Sequence, residues 1–159
     1  MNVGNKSMDD YLKIMDEINQ KFEEFRLIIL QETEKVKELE NFKLTPQQEI
    51  TMFYIIRNEP IIAKDIAIHF DISKSAVSQV LSKLEEMKMI QRQMNSQKRR
   101  ETLIYLGDRG KDFHILLEKI DELLVGKYYS KVSLTELKNI LDTLNKIIET
   151  NKNKGREIK

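Results

Sequence analysis

Apolar residues in this chain recur mostly at every third or fourth position, the spacing that places them on one face of an α-helix. Five glycines and two prolines in 159 residues leave few positions that would interrupt such helices. The first apolar face comprises Tyr11, Ile14, Met15, Ile18, Phe22, Phe25, Ile28 and Ile29. We therefore predict a mainly helical protein whose first helix is capped at Ser7 and runs to about Glu40.

Capping residues predict where further helices begin. Thr45, with a proline after it and Gln48 at the third helical position, predicts a capping box for a second helix that ends before residues 58–60. A longer helix is expected from about residue 108 to 127. A second capping box at residues 133–136 opens a last helix, and a polar, frayed tail is expected at residues 151–159.

The middle of the chain has the pattern of two short helices separated by a sharp turn. The first stops at Asp71, a residue type that tolerates the left-handed backbone conformation, and Ser73 caps the second. One face of the second helix is apolar and contains Val77, Val80, Leu81 and Leu84. The other face is small, neutral or positive and contains Lys74, Ser75, Ser78, Gln79, Ser82 and Lys83. This order is typical of a helix-turn-helix, although many helical hairpins that only pack have a similar turn.

The helical spacing stops after Lys88. Residues 90–93 and 102–106 have the pattern of two short strands, and the basic run 95–100 joins them. A basic hairpin placed after a helix-turn-helix can reach phosphates or the minor groove beside the bases that the helix contacts. We therefore predict a mainly α fold with a small β-hairpin wing (α+β), that is, a winged helix-turn-helix.

The charge of the chain is concentrated in this same region. The formal net charge is only +1, but residues 73–111 hold nine Lys and Arg against four Asp and Glu, a net charge of +5. Residues 1–72 are acidic, with nine basic against fourteen acidic side chains. A local basic excess is the electrostatic pattern expected of a nucleic-acid site, although a solvated charged surface has the same composition.

Other classes of function find little support in the sequence. The chain has no cysteine, no glycine-rich phosphate loop and no nucleophile motif, so we expect neither an enzyme nor a cofactor. Its two histidines, His69 and His114, are more simply read as surface or packing residues than as metal ligands. Residues 1–10 lack the apolar segment of a signal peptide, and no apolar run is long enough to span a membrane, so a cytoplasmic protein is expected.

Five consecutive, ordered segments of the chain resemble the MarR family of winged-helix regulators. They are residues 44–48, 63–67, 72–78, 81–86 and 99–106. The likeness is detailed from about Leu44 to Lys111, and the flanking helices agree in order and length. The resemblance implies a sequence-specific regulator of transcription, usually a repressor, that binds double-stranded DNA at a pseudo-palindromic operator as a homodimer.

The resemblance also assigns roles to residues of this chain. It implies a recognition helix from Ser73 to Lys88 and a wing whose basic side chains approach the minor groove or the DNA backbone. The expected DNA contacts are Ser73, Lys74, Ser75, Ser78, Gln79 and Lys83 on the helix, and Lys98, Arg99 and Arg100 on the wing. The implied domains are a dimerisation helix at 1–44, the DNA-binding domain at 45–107 and C-terminal dimerisation helices at 108–150.

The apolar faces of the terminal helices exceed what a small winged domain can cover, so they predict the dimer interface. Its expected residues are Ile14, Ile18, Phe22, Phe25, Leu137, Ile140, Leu141 and Leu144. A small-molecule effector is possible for such a regulator, and the aromatic-rich set Phe22, Phe25, Met52, Phe53 and Tyr54 could line its pocket or belong to the core.

Three positions depart from the family pattern. Lys98 stands where an acidic residue is usual, which makes the wing tip more basic. Lys88 replaces the glycine that usually ends the recognition helix. Gly107 replaces the usual threonine after the second strand, and Asp108 is the expected substitute cap. Because a fold does not dictate its use, a winged helix that binds proteins remains the alternative function.

Overall fold

The structure is a computed structural model that describes the backbone of residues 5–98 and 101–154 and the side chains of 7–98 and 101–149. Its helices are α1 (Asn5–Glu34), α2 (Pro46–Asn58), α3 (Ala63–Phe70), α4 (Lys74–Glu86), α5 (Asp108–Lys127) and α6 (Leu134–Lys154). Two short 3₁₀ helices lie at Lys37–Phe42 and Tyr129–Lys131, and two strands, β1 (Ile90–Met94) and β2 (Thr102–Leu106), form a hairpin. The predicted fold class, mainly α with a small β-hairpin, is confirmed.

The chain forms two compact units that divide within α5. The first unit ends at Ile120 and contains α1 to α4, the hairpin and the beginning of α5. The second begins at Asp121 and contains the end of α5 and α6. The winged helix-turn-helix therefore lies entirely in the first unit.

The first helix differs from its prediction at both ends. Ser7 lies inside α1 and is not its cap, and α1 ends at Glu34, before the expected Glu40. The chain continues as a 3₁₀ helix, and its N-cap Val36 and its residues Leu39 and Phe42 are half-buried. Their spacing of three residues matches the three residues per turn of a 3₁₀ helix, so the tighter helix keeps them on one side.

The core of the first unit is built where α2, α3, α4 and the hairpin meet. Its buried residues are Met52, Ile55, Ile61, Ile66, Val77, Leu81, Leu84, Met89, Ile90, Ile104, Leu106 and Phe113. Phe113 of α5 packs edge-on against Phe42 and stacks on Phe53, with ring centroids 5.0 and 6.2 Å apart. The apolar face predicted for α4 is the face that is buried, which leaves its polar face to the solvent.

The hairpin is antiparallel, and a further backbone contact ties it to the start of α3. Ile90 pairs with Leu106, and Met94 pairs with Thr102 at the far end. Ile61 forms an isolated bridge to Ile104, with N···O distances of 3.2 and 2.8 Å in the two directions. Strand β2, at the base of the wing, is therefore hydrogen-bonded to β1 on one side and to Ile61 on the other.

Two departures from the family pattern lie next to each other. Lys88 follows the end of α4 in the left-handed conformation, with φ of 60°, and its carbonyl oxygen accepts a hydrogen bond from the N–H of Arg109 at 3.1 Å. The N–H of Gly107 donates to Met89 at 2.9 Å, and the carbonyl of Gly107 accepts the bond from Lys111 that begins α5. Gly107 is therefore the cap of α5, and Asp108, expected to be the cap, is its first helical residue.

The second unit contains the predicted capping box. The hydroxyl of Ser133 accepts a bond from the N–H of Glu136 at 3.3 Å, and the Glu136 carboxylate accepts bonds from the hydroxyl and N–H of Ser133. The two bonds from Ser133, the hydroxyl bond being the larger cause, hold the pKa of Glu136 below its usual value. The last helix continues to Lys154, four residues into the tail expected to be frayed, and residues 155–159 lie outside the described part.

Candidate nucleic-acid interface

The turn between α3 and α4 has the conformation that its residues predict. Asp71 is left-handed, with φ of 51°, and the N–H of Ile72 bonds to the carbonyl of Ala67 at 3.1 Å. The hydroxyl of Ser73 accepts a bond from the N–H of Ala76 at 3.1 Å and caps α4. Ser73, which we expected to contact DNA, therefore has a structural role at the cap.

The polar face of α4 is exposed and slightly concave. Lys74, the residue after the cap, is exposed at the start of this face. A depression of ≈ 560 Å³ is lined by Ser75, Ser78, Gln79, Ser82 and Lys83. Four of these five side chains are among the expected DNA contacts, and the structure brings them together. The fifth, Ser82, was on the polar face predicted from the sequence but outside the expected contact set.

Arg92 of β1 is a residue of this surface that sequence reasoning missed. Its Nη2 lies 3.4 Å from the hydroxyl oxygen of Ser82, and its Nε lies 3.3 Å from Oε2 of Glu85. Both partners belong to α4, one turn apart. The alternation of the strand was the available signal, because it puts Arg92 on the same face as the buried Ile90, toward the core and the recognition helix.

Asn95 organises the described part of the wing tip. Its side-chain oxygen accepts bonds from the N–H groups of Gln97 and Lys98 at 3.0 and 3.3 Å. Glu101 closes the tip, since its carbonyl accepts a bond from Asn95 and its N–H donates to Lys98. Such a turn keeps the chain tightly folded at the end of the hairpin.

The lysines beside the recognition face have carboxylate neighbours. Lys98 is exposed, and its Nζ lies 3.5 Å from Glu101. Lys83 pairs with Glu86 at 2.8 Å, and both of these side chains are largely exposed, whereas Glu101 is half-buried. An exposed pair such as Lys83 and Glu86 contributes about 0–1 kcal/mol, so a phosphate can replace the Glu86 carboxylate at small cost. Arg99 and Arg100, the other two expected wing contacts, lie outside the described residues, and their roles stay predictions.

Most of the aromatic-rich set considered for an effector pocket is used in packing. Met52 is fully buried, Phe53 stacks on Phe113, and Tyr54 stacks on His69 with ring centroids 3.9 Å apart. For these three residues the core reading is correct. A different cavity of ≈ 240 Å³ is lined by Leu39, Glu40, Phe42, Lys43, Leu44, Glu49 and Phe113.

The remaining polar candidates also have local neighbours. His114 lies 3.8 Å from Glu118, one turn along α5. Within residues 5–98 and 101–154, no group of three or more His, Cys, Asp or Glu side chains is arranged to bind a metal ion. In the same ranges no helix is long and apolar enough to cross a membrane.

The expected dimer residues are accessible in the single chain. Ile14, Ile18 and Phe22 of α1 are each about half exposed. On α6, Ile140 and Leu141 are exposed, whereas Leu137 and Leu144 are half-buried. Phe25 is also half-buried. Their role in a dimer stays a prediction.

Comparison with known proteins finds a family model that matches part of the chain and solved structures that share its fold. A sequence model of the MarR family matches residues 42–101, which include α2 to α4 and β1. A comparison with curated protein sequences gave no match.

Several solved structures share the fold along most of the chain. A Listeria innocua protein of unknown function is 26% identical, with a TM-score of 0.63, and the match covers 93% of this chain and 99% of that one. Streptococcus pneumoniae FabT, solved in complex with DNA, is 17% identical with a TM-score of 0.69, over 90% and 98% of the two chains. The structure described as MarR is 23% identical with a TM-score of 0.56, over 85% and 93%. These likenesses show that the chain has the same winged-helix fold as these proteins, and its residues 42–101 are similar in sequence to the MarR family.

Proposed function

We propose that this protein is a homodimeric transcriptional regulator that binds double-stranded DNA in a sequence-specific manner and acts as a repressor in the cytoplasm. The observation that carries the proposal is the exposed polar face of α4, which is backed by a buried apolar face and flanked by a basic wing. A capped helix with short polar side chains is the element that winged-helix proteins insert into the major groove.

The chemistry of the face suits recognition of bases. Serine hydroxyls can donate or accept, and the Gln79 amide can make paired hydrogen bonds to an adenine edge. Ser75, Ser78, Gln79 and Lys83 all line the depression. We assign base contacts to the three neutral residues, and phosphate contacts to Lys74, Lys83 and the wing residues Lys98, Arg99 and Arg100.

The homodimer rests on the accessible apolar faces of α1 and α6. Several large apolar side chains exposed on one helix normally mark an interface. A two-fold dimer presents its recognition helix twice, so the operator is expected to be pseudo-palindromic. Sedimentation at micromolar concentration is expected to give the mass of two chains, and a monomer would contradict this part of the proposal.

The decisive experiment is selection of genomic fragments by the purified protein, followed by sequencing. One enriched motif with two-fold symmetry is expected, and labelled duplexes carrying that motif then give the affinity. The control protein is a Ser75, Ser78 and Gln79 triple alanine variant, which keeps the buried face of α4. If both proteins retain all fragments equally, or if neither retains any, sequence-specific DNA binding is contradicted. Protein binding would then be the better-supported function of this fold.

A further inference from the structure

Most described side chains in the far half of the wing are exposed to solvent. At its base, Ile90, Ile104 and Leu106 are buried in the core. Beyond Arg92 the side chains of β1 turn to the solvent, and Met94 is 73% exposed. Arg92 is therefore the last residue of β1 whose described side chain reaches the recognition helix.

The Arg92 side chain touches α4 at two points. Its Nη2 donates to the Ser82 hydroxyl at 3.4 Å, and its Nε lies 3.3 Å from the Glu85 carboxylate. The Nε atom is buried and makes no hydrogen bond of good geometry to any described residue, so the nearby carboxylate is what offsets its charge. One long hydrogen bond and one ion pair, made by different atoms of a planar guanidinium, restrict its rotation more than a single contact would.

A small change in the angle between the wing and α4 has a large effect at the wing tip. Three residues separate Arg92 from Asn95, where the turn begins, and a strand rises about 3.3 Å per residue, so the turn lies roughly 10 Å beyond the contact. A tilt of about 10° at Arg92 would then displace the turn by about 2 Å, which is enough to break a hydrogen bond to DNA.

We propose that Arg92 is a positioning residue that fixes the angle between wing and recognition helix through Ser82 and Glu85, so that both elements engage one DNA site together. Ser82 lines the depression on the recognition face, so the contact joins the surface that contacts bases to the strand that carries the wing. The effect of this contact on DNA binding rests on the proposed function. The contact between Arg92 and α4 is present in the free protein and can be tested without DNA.

The first test is made without DNA. Backbone ¹⁵N relaxation is measured for the amides of Gln93, Asn95 and Gln97 in the wild type and in Arg92→Lys, which keeps the charge but loses the two-point geometry. We expect faster, larger-amplitude motion of these amides in Arg92→Lys and unchanged amides in α4. Arg57→Lys, an exposed arginine on α2, is the control and should change none of them. Equal wing relaxation in wild type and Arg92→Lys would overturn the proposal.

The second test uses the selected operator. Hydroxyl-radical footprinting of Arg92→Lys and Arg92→Ala should lose protection where the wing lies and keep it where the recognition helix lies, with affinity lower by about tenfold. A Glu85→Ala variant should give the same partial footprint, and adding Arg92→Ala to it should cost little more, because both changes break one contact.

Other outcomes would overturn the assignment in distinct ways. If Arg92→Lys binds as the wild type does while Arg92→Ala has a lower salt dependence and an equally ordered wing, Arg92 is a direct phosphate contact. If all variants lose only thermal stability, its role is structural. If the wild type shows no footprint at all, the proposed DNA binding fails, whereas the relaxation result still decides whether Arg92 fixes the wing.

Discussion

The α-carbon of Gly110 lies so close to Met89 that a Cβ at position 110 would overlap the Met89 carbonyl oxygen. Gly107, one turn earlier, has the same relationship to the carbonyl of Lys88. The start of α5 therefore packs directly on the backbone that follows the recognition helix. Backbone cannot move aside as a flexible side chain can, so these two positions tolerate no side chain without a shift of one element.

Gly110→Ala is therefore expected to destabilise the protein by about 1–3 kcal/mol or more, the range for overpacked sites. The matched control is Gly126→Ala in the same helix, where a Cβ would meet no described atom within 4 Å. Because alanine favours helix over glycine, that change should stabilise by about 0.5–1 kcal/mol. Urea denaturation of the two variants measures both changes in the free energy of unfolding. Equal midpoints would show that α5 and the Met89 backbone are not in close contact.

Lys88→Gly is expected to stabilise the protein. Lys88 is held at φ of 60°, a conformation that costs a residue with a Cβ roughly 1–2 kcal/mol. Part of this gain is lost because glycine makes the unfolded chain more flexible, so a net gain of about 0.5–1 kcal/mol is expected in thermal or urea unfolding. Asp71→Gly, at φ of 51°, should gain less, since aspartate tolerates this region. A loss of stability in Lys88→Gly would contradict the argument.

Replacing Gln79 should change which operators are preferred. Its amide lies with Ser75 and Ser78 in the depression on α4. Loss of one paired base contact costs about 1–3 kcal/mol of discrimination, so Gln79→Ala should bind operator variants with more nearly equal affinities. Competition titrations measure the preference, and Gln47→Ala on α2 is the control. Full preference retained by Gln79→Ala would exclude this face from base recognition.

The wing should contribute mainly through charge. Each phosphate that a cation neutralises releases counterions, so Arg99→Ala is expected to reduce the slope of log affinity against log salt by about 2 if both copies in a dimer touch phosphate. Titrations of operator DNA at several salt concentrations give the slope. A folded triple alanine variant of Lys98, Arg99 and Arg100 with unchanged slope and affinity would remove the wing from the interface.

The pair Ser133 and Glu136 predicts a small acid-sensitive contribution at the start of α6. Because the pKa of Glu136 is lower in the fold than its ordinary value of 4.5, the carboxylate stabilises the helix above that value, and the contribution is lost as pH falls through the lowered pKa. Ser133→Ala should raise the pKa of Glu136 back toward 4.5, as measured by NMR titration of the carboxyl carbon. Thr135→Ala should leave it unchanged; an unmoved pKa in Ser133→Ala would refute the assigned cause.

The features that the sequence predicts well are those that depend on neighbours in the chain. The capping boxes at Thr45 and Ser133, the left-handed Asp71 and the cap at Ser73 follow from residue types at fixed spacing. The predicted end of α1 was wrong because the apolar spacing continues without a break from the α-helix into the 3₁₀ helix. Helical period alone does not separate the two over so few residues.

The parts of the candidate site that were missed depend on contacts between distant segments. Strand alternation places Arg92 on the inward face, but its partners Ser82 and Glu85 are identified only when β1 lies against α4. The left-handed Lys88 was likewise not predicted, since lysine has no local preference for that conformation. The contact between this segment and the start of α5 at Gly107 depends on the three-dimensional fold, so it could not be predicted from the sequence.

The bridge between Ile61 and Ile104 closes one long loop of the chain, and this loop contains the proposed DNA-binding surface. The same short segment also supplies the Glu59 carboxylate that accepts the N–H of Leu106 at 2.7 Å. The helices α3 and α4, the strand β1 and the wing tip all lie between these two contacts. Closing the loop therefore costs conformational entropy once for all four. The core amide protons of α3, α4 and the base of the hairpin should therefore exchange with similar protection, and proteolysis at residues 59–61 should disrupt all three together.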